Sequence, residues 1–457
     1  MGIQLDWEIE NERTRNMHSG EDPEGRARRA QAFRRLLIVL LAMTALAGCI
    51  IWLISWRITE AENQVRSNLV ITVENEVAAL RIGDRAAFTS IQRSDSQVWL
   101  DNQQLIYNAY QTLKTSANVV LSGRVLNSEI DGPRGRVQVE EIIDGVQYVR
   151  TWFYFLYDDG WRHVPADYTF WGAASERSVE TLTIRYFAVD APFADVLAET
   201  LPRWLAQGCA LVACPALPTM SVEVVPDEGI EADWTSEDPN RLQLSSPFIG
   251  PARTDALFTS GQQLRVGGLV AERLVETSNP VQPLLFADAR YLRQAVISFM
   301  VERFTGIETN AFTIETLAET YGDQTVTTLL ANLTPDASAQ ALAAAAGVSS
   351  IEQLSIDWRD YLTWRLALEQ EVIAARDEAN FLTLYDTADV GVRDLALARY
   401  NIGATGETWV VTQVVQETDA AGNILHRASA IVRAANGAER AESVLFRLVD
   451  GMWRRAS

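Results

Sequence analysis

The sequence predicts an α+β multidomain protein held by one N-terminal transmembrane helix, and three observations carry that prediction. Leu36 to Trp56 is a run of 21 residues without a charge. Two later segments, one on each side of the chain's middle, pass from helical to strand periodicity and end on nearly the same short motif. The stretch between them, residues 178–365, has a helical second half. Length and composition agree with this plan. The 457 residues make about three domains, and a chain that is 48% apolar and 9% aromatic buries real cores.

Residues 1–35 read as a cytoplasmic tail. It is acidic at first (Asp6, Glu8, Glu10, Glu12) and basic at its end (Arg26, Arg28, Arg29, Arg34, Arg35). Two readings stay open: a disordered tail whose arginines set topology, or a short docking helix for a cytoplasmic partner. Residues 36–56 follow as the transmembrane helix, because at 1.5 Å per residue they span roughly 30 Å, the thickness of a bilayer core. The arginines precede the run, whereas Glu60 and Glu62 follow it, so the N-terminus stays in the cytoplasm and the bulk lies outside. A second reading competes at Leu46-Ala47-Gly48-Cys49, which has the form of a lipobox and would give a lipoprotein anchored at Cys49. Against it, the apolar run continues for seven residues beyond that cysteine.

From residue 60 a helical stretch leads to Asp84-Arg85-Ala86-Ala87-Phe88, and Val119–Leu126, Gly135–Ile143 and Val146–Tyr157 then read as strands. Asp144-Gly145 marks a tight hairpin between the last two. The segment ends in Asp159-Gly160-Trp161-Arg162. The same landmarks recur at the C-terminus: a helical stretch from Trp358, then Asp377-Glu378-Ala379-Asn380-Phe381, strands at 408–416, 424–433 and 442–449, and Asp450-Gly451-Met452-Trp453-Arg454. Asp to Trp is 77 residues in the first copy and 76 in the second. Helices followed by a curved antiparallel sheet make an α+β plan. With its Thr151-Trp152-Phe153-Tyr154 strand and Gly-Trp-Arg ending, it resembles the nuclear transport factor 2-like (SnoaL-like, cystatin-like) cone, over residues 60–172 and 366–457. The resemblance implies a fold able to enclose a pocket, in some relatives with a His-Asp pair, for which the first copy offers His163 and Asp167. Position argues otherwise: His163 follows the Gly-Trp-Arg turn at the sheet's edge, where a surface or hydrogen-bonded structural role is expected. His426, just after a turn, reads as a solvated strand residue.

Within the middle stretch, Cys209 and Cys214 sit five residues apart in a Pro-containing loop. They read as a small disulfide or as two buried thiols, the disulfide being favoured outside the cytoplasm. Gly267 to Glu276, the helix Leu292 to Phe304 and the closing segment Leu354-Ser355-Ile356-Asp357-Trp358-Arg359-Asp360-Tyr361-Leu362 together resemble the peptidase MA-like (gluzincin) family, which implies a zincin-like α+β domain at 178–365 with a helical C-terminal part. A zincin needs H-E-x-x-H on a helix, so that two His on one face grip Zn²⁺ while the Glu activates its water. Under this resemblance Glu272 keeps the general-base position, and Ala271, Val275 and Ser298 replace the three metal ligands. A closer literal match to the family's second helix, Leu201-Pro202-Arg203-Trp204-Leu205-Ala206-Gln207-Gly208, lies upstream of Glu272, in the wrong order, and has Gln207 for the ligand Glu. An all-carboxylate site from Glu272, Glu276 and Glu302 is the remaining metal option, set against a helix with solvated acids.

What remains is mostly exclusion. A net charge of −21 argues against nucleic acid. The chain holds only three histidines, His18, His163 and His426, none within a catalytic motif, and it lacks the G-x-S-x-G, G-x-x-x-x-G-K-[ST] and G-x-G-x-x-G signatures, so no cofactor is expected. The leading expectation is a membrane-anchored extracytoplasmic binding or scaffold protein of the bacterial envelope with an inactive peptidase-like domain, its partner a peptide or envelope protein. The alternatives are an active hydrolase with an unrecognised site and a transmembrane sensor acting through the tail.

Overall fold

The computed structural model describes residues 23–419 and 422–457, and their side chains except 23–27 and 30. His18 and the acidic start of the tail lie outside the described residues. The protein is mixed α+β and divides into two compact units. One holds the described residues up to Leu113 with Gly123–Val137 and Phe153–Pro165; the other holds Lys114–Ser122, Gln138–Trp152 and Ala166–Ser457.

In the first unit, helix α1 runs unbroken over Pro23–Ile82, 60 residues. Its apolar part is long and apolar enough to cross a membrane and is not buried in the protein. The expected helix near Glu60 is thus the continuation of the apolar run. Beyond it Leu69, Val73, Val77 and Leu80 turn into the core at three- and four-residue steps. Gly135 permits the close approach of this face, since a Cβ there would stand 2.9 Å from Leu69 and 3.1 Å from Trp161. Along the chain helices α2 (Arg85–Ile91) and α3 (Gln97–Ser116) follow, then β1 (Val119–Val120), which falls in the second unit, and β2 (Val125–Asp131). Next come β3 (Arg134–Ile143) and β4 (Val146–Tyr157), each divided between the two units, and β5 (Gly160–Val164). The strand expected over 119–126 is broken, with Gly123 in the left-handed region between β1 and β2. Asp144 and Gly145 both have positive φ (50° and 81°), the geometry of a two-residue hairpin turn.

The second unit carries a five-stranded sheet in the order β6-β7-β8-β10-β9. β6 (Ala174–Val179) and β7 (Leu182–Phe187) form a hairpin, and helix α4 (Ala191–Val212) crosses to β8 (Met220–Val225), parallel to β7. β9 (Asp233–Trp234) is the antiparallel edge strand, and β10 (Arg241–Ser245) returns parallel to β8. The two-residue β11 (Ala252–Arg253) precedes α5 (Ser260–Ser278) and α6 (Asp288–Thr305). Thr259 and Gln262 close a reciprocal capping box at the start of α5. Gly208 on α4 sits where α4, α5 and α6 converge; a Cβ there would run into Leu274 and stand 2.9 Å from Phe304 and 3.0 Å from Met300. Helices α7 (Phe312–Tyr321), α8 (Gln324–Ala331), α9 (Gln340–Ala346) and α10 (Arg359–Ala374) complete this part. Buried Asp288 fastens three of these elements, accepting from Ala339 N and Tyr361 Oη at 2.9 Å each, with Arg365 Nη1 at 3.3 Å.

Helices α11 (Glu378–Thr383) and α12 (Val390–Ile402) then lead into the meander β12 (Thr408–Thr418), β13 (Ile424–Arg433), β14 (Glu439–Val449) and β15 (Met452–Arg455). This segment repeats the plan of α1 to β5 in detail. Asp84 and Asp377 cap their short helices alike, accepting from Ala87 N at 2.9 Å and Asn380 N at 3.0 Å. Phe88 and Phe381 are buried at the same step, as are Trp161 and Trp453. Gln92 and Tyr385 make isolated parallel bridges to His163 and Arg455. Arg93 N and Asp386 N donate to those residues' carbonyls, at 2.9 Å in each.

Candidate functional site

Each copy places a buried carboxylate on its long helix. Glu76 is 1% exposed. Its Oε1 accepts from His163 Nδ1 at 2.7 Å and Gln92 Nε2 at 2.8 Å, and its Oε2 from Tyr154 Oη at 2.7 Å. Burial first, and then Glu76, hold the Tyr154 hydroxyl well above its usual range. Glu369 is 2% exposed and stands 3.2 Å from Arg455 and 3.0 Å from Arg399. Glu76 is thus a carboxylate partner of His163, and Asp167, offered for that role, caps a short 3-10 turn by accepting from Thr169 N at 3.0 Å. His163 is hydrogen-bonded as expected, but buried instead of on the surface.

The helices bearing the peptidase-like positions, α5 and α6, pack against each other. Ala271 and Val275 are both 0% exposed and belong to the core. Glu272 beside them is exposed and lines a cavity of about 510 Å³ with Ser298, Tyr291, Asn310, Asp360 and Trp364. Asp360 Oδ2 accepts from Tyr291 Oη at 2.8 Å, and its Oδ1 from Thr313 N at 3.1 Å and Thr313 Oγ1 at 2.5 Å. Burial raises the Asp360 carboxyl above the usual range in spite of those donors, and burial with Asp360 raises the Tyr291 hydroxyl well above its own. Edge strand β9 lies against α5: Arg265 Nε donates to Ala232 O at 3.0 Å, and the Arg273 guanidinium sits 4.9 Å from the Trp234 ring.

Zinc does not fit these residues. An alanine and a valine sealed in the core and a serine offer no imidazole, thiolate or carboxylate at the three positions that the resemblance would assign to ligands. Two carboxylates of the other metal option are separately engaged. Glu302 accepts from Thr309 N and Oγ1 at 3.1 Å each, and Glu276 faces Arg273 at 3.5 Å. Among the described residues no three His, Cys, Asp or Glu are grouped to hold a metal ion. Gln207, in the upstream literal match, lies on the crossover helix α4.

Cys209 and Cys214 are bonded, with Cα atoms 4.8 Å apart, at the end of α4 where Ala213 takes a left-handed conformation (φ 52°). Cys49 is a free, exposed thiol on α1. His426 corrects the solvated reading: it is 4% exposed and its ring stacks on Trp453 with centroids 3.9 Å apart. Sequence reasoning also missed Asp360, Tyr291 and Trp364 as cavity walls. The Trp358–Leu362 pattern that located the helix of Asp360 and Trp364, and the Leu292–Phe304 pattern next to Tyr291, gave no sign of which face opens.

No protein-family model, no curated protein and no solved structure matches the chain.

Proposed function

We propose that the chain is a single-pass membrane protein of the bacterial envelope whose extracytoplasmic part binds an extended peptide, or a segment of an envelope protein, in the cleft beside Glu272. Its peptidase-like domain is inert and sits in sequence between two cone-like domains. The carrying observation is the pairing of a side chain open to the cavity, Glu272, with neighbours Ala271 and Val275 that are fully packed. A carboxylate without a metal has neither a Lewis acid nor an activated water beside it, so cleavage is lost while the walls for binding remain. Tyr291, Trp364 and Asp360 supply aromatic area and hydrogen-bonding groups for such a segment. Arg28, Arg29, Arg34 and Arg35 before the apolar run support a cytoplasmic tail.

The test uses the full chain in detergent, incubated with Zn²⁺ and dialysed. The expected result is no stoichiometric zinc, no cleavage of a casein digest, and retention of some of its peptides. Bound zinc with chelator-sensitive cleavage overturns the inert reading, and failure to retain any peptide overturns the binding reading.

The continuity of α1 favours a second reading, coupling across the membrane, because no joint separates the apolar run from Glu76 in the core. Deletion of residues 1–25 tests it: unchanged output from cells carrying the truncated chain counts against coupling.

A further inference from the structure

The sheet β12–β15 has a cavity of about 480 Å³ on one face, roofed by α7, the connecting stretch 354–358 and Arg359 at the start of α10. Gln416 and His426 stand opposite each other across the β12–β13 pair, and Val414 is the next residue on the same face of β12. Although His426 is buried, its Nδ1 has no hydrogen-bond partner among the described residues. Trp358 flanks the ring, its centroid 6.2 Å away. Burial lowers the imidazole to about 4, so it is neutral near pH 7, with one donor and one acceptor nitrogen. A buried ring nitrogen with no partner is a cost that the fold itself does not recover.

Strand β12 is also the open edge of its sheet. A register shift between Val411 and Gln413 sets Thr412 outside the ladder, a β-bulge. Up to Val411 the edge is covered, with Val411 N donating to Thr363 Oγ1 at 2.9 Å. From Gln413 to Thr418 the strand pairs with β13 alone among the described residues, and Val415 is exposed. Such an edge is a template for another strand. Charge at the roof is negative. Asp357 is offset by Arg359 at 2.7 Å, whereas Glu319 lines the cavity exposed and without a salt bridge among the described residues. Glu315 is held above the usual carboxylate range first by burial and then by the charges of Glu302, Glu319 and Glu308.

We propose that this groove takes an extended peptide that adds to β12 over Gln413–Thr418, with one basic side chain directed to Glu319 and one hydrogen-bonding group to His426. Alternate residues of an added strand share a face, so two such groups two positions apart both reach the cavity.

The experiment titrates a fluorescent octapeptide of alternating Val and Arg, and its Val/Glu counterpart, against the full chain in detergent micelles, read by anisotropy. The expected result is saturable binding of the Arg peptide, none of the Glu peptide, and affinity lowered at least fivefold by Glu319→Lys and by His426→Phe, which keeps the stacking. A thermal melt of each variant shows that it is folded. Equal affinity for both peptides, no binding of either, or undiminished binding in both variants overturns the proposal. Self-association that Val415→Pro abolishes overturns it too, by giving the edge to a second copy of this chain.

Discussion

Glu76 and Glu369 are 293 residues apart and occupy one position in a repeated plan, each eight residues before its capping aspartate, yet one faces an imidazole and the other a guanidinium. The substitution lies two residues after each buried tryptophan, at His163 and Arg455. Both copies satisfy a carboxylate deep in the core; only the second balances it with permanent charge.

That difference predicts unequal costs. Arg455→Leu strips Glu369 of a buried counter-charge and is expected to destabilise the second copy by about 3 kcal/mol. His163→Gln, which retains a donor for Glu76, costs about 1 kcal/mol. Denaturant unfolding of the full chain measures both. Equal losses would remove the distinction.

A second expectation concerns acid. Burial lowers His426 to about 4, below its ordinary value of 6.5 in the unfolded chain. The unfolded state therefore binds the extra proton between these values, and the stability lost on acidification begins near pH 6.5 and levels off near pH 4. The difference between 6.5 and about 4 corresponds to a loss of at most about 3–4 kcal/mol. In His426→Phe, the difference in melting temperature from the native chain should shift in the variant's favour as pH falls through this window. A difference independent of pH would show that the ring titrates normally.

Installing a metal-ligand pattern should fail. Ala271 and Val275 have no exposed surface, so Ala271→His with Val275→His overpacks the junction of α5 and α6 by about 1–3 kcal/mol at each site. The expected variant is less stable and binds no zinc, as read by calorimetry and metal analysis. Tight zinc binding at unchanged stability would mean that these positions open to the cleft.

Gly208 offers a sharper packing test. Gly208→Val places methyl groups where Leu274, Phe304 and Met300 already stand and is expected to cost about 3 kcal/mol or prevent folding. Gly268, on α5 with open space around it, tolerates alanine with a gain of up to about 1 kcal/mol. Thermal melts of the two variants compare them directly.

Local patterns were legible and distant pairings were not. The uncharged run, the Asp144-Gly145 turn and the capping aspartates of α2 and α11 are signalled by their own neighbours. The Asp, Phe and Trp spacing pointed to a repeat, because each landmark solves a local need. Glu76 gave no signal, since His163 and Tyr154 lie 87 and 78 residues further along. His426 misled for the same reason: a residue just after a turn is ordinarily wet, but its roof comes from a helix about a hundred residues earlier in the chain. The cleft beside Glu272 was half legible. Its helices were marked by their motifs, whereas Asp360 became part of the wall only when α10 packed there.

The unbroken α1 fixes a distance as well as a direction. Between Trp56 and Val65, where Trp161 Nε1 donates to the helix backbone at 3.3 Å, residues 57–64 are exposed and form a bare stalk of about 12 Å. The first residues of α1 that pack into the first unit therefore stand one rigid helical spacer of about 12 Å beyond the end of the apolar run, with no joint between them.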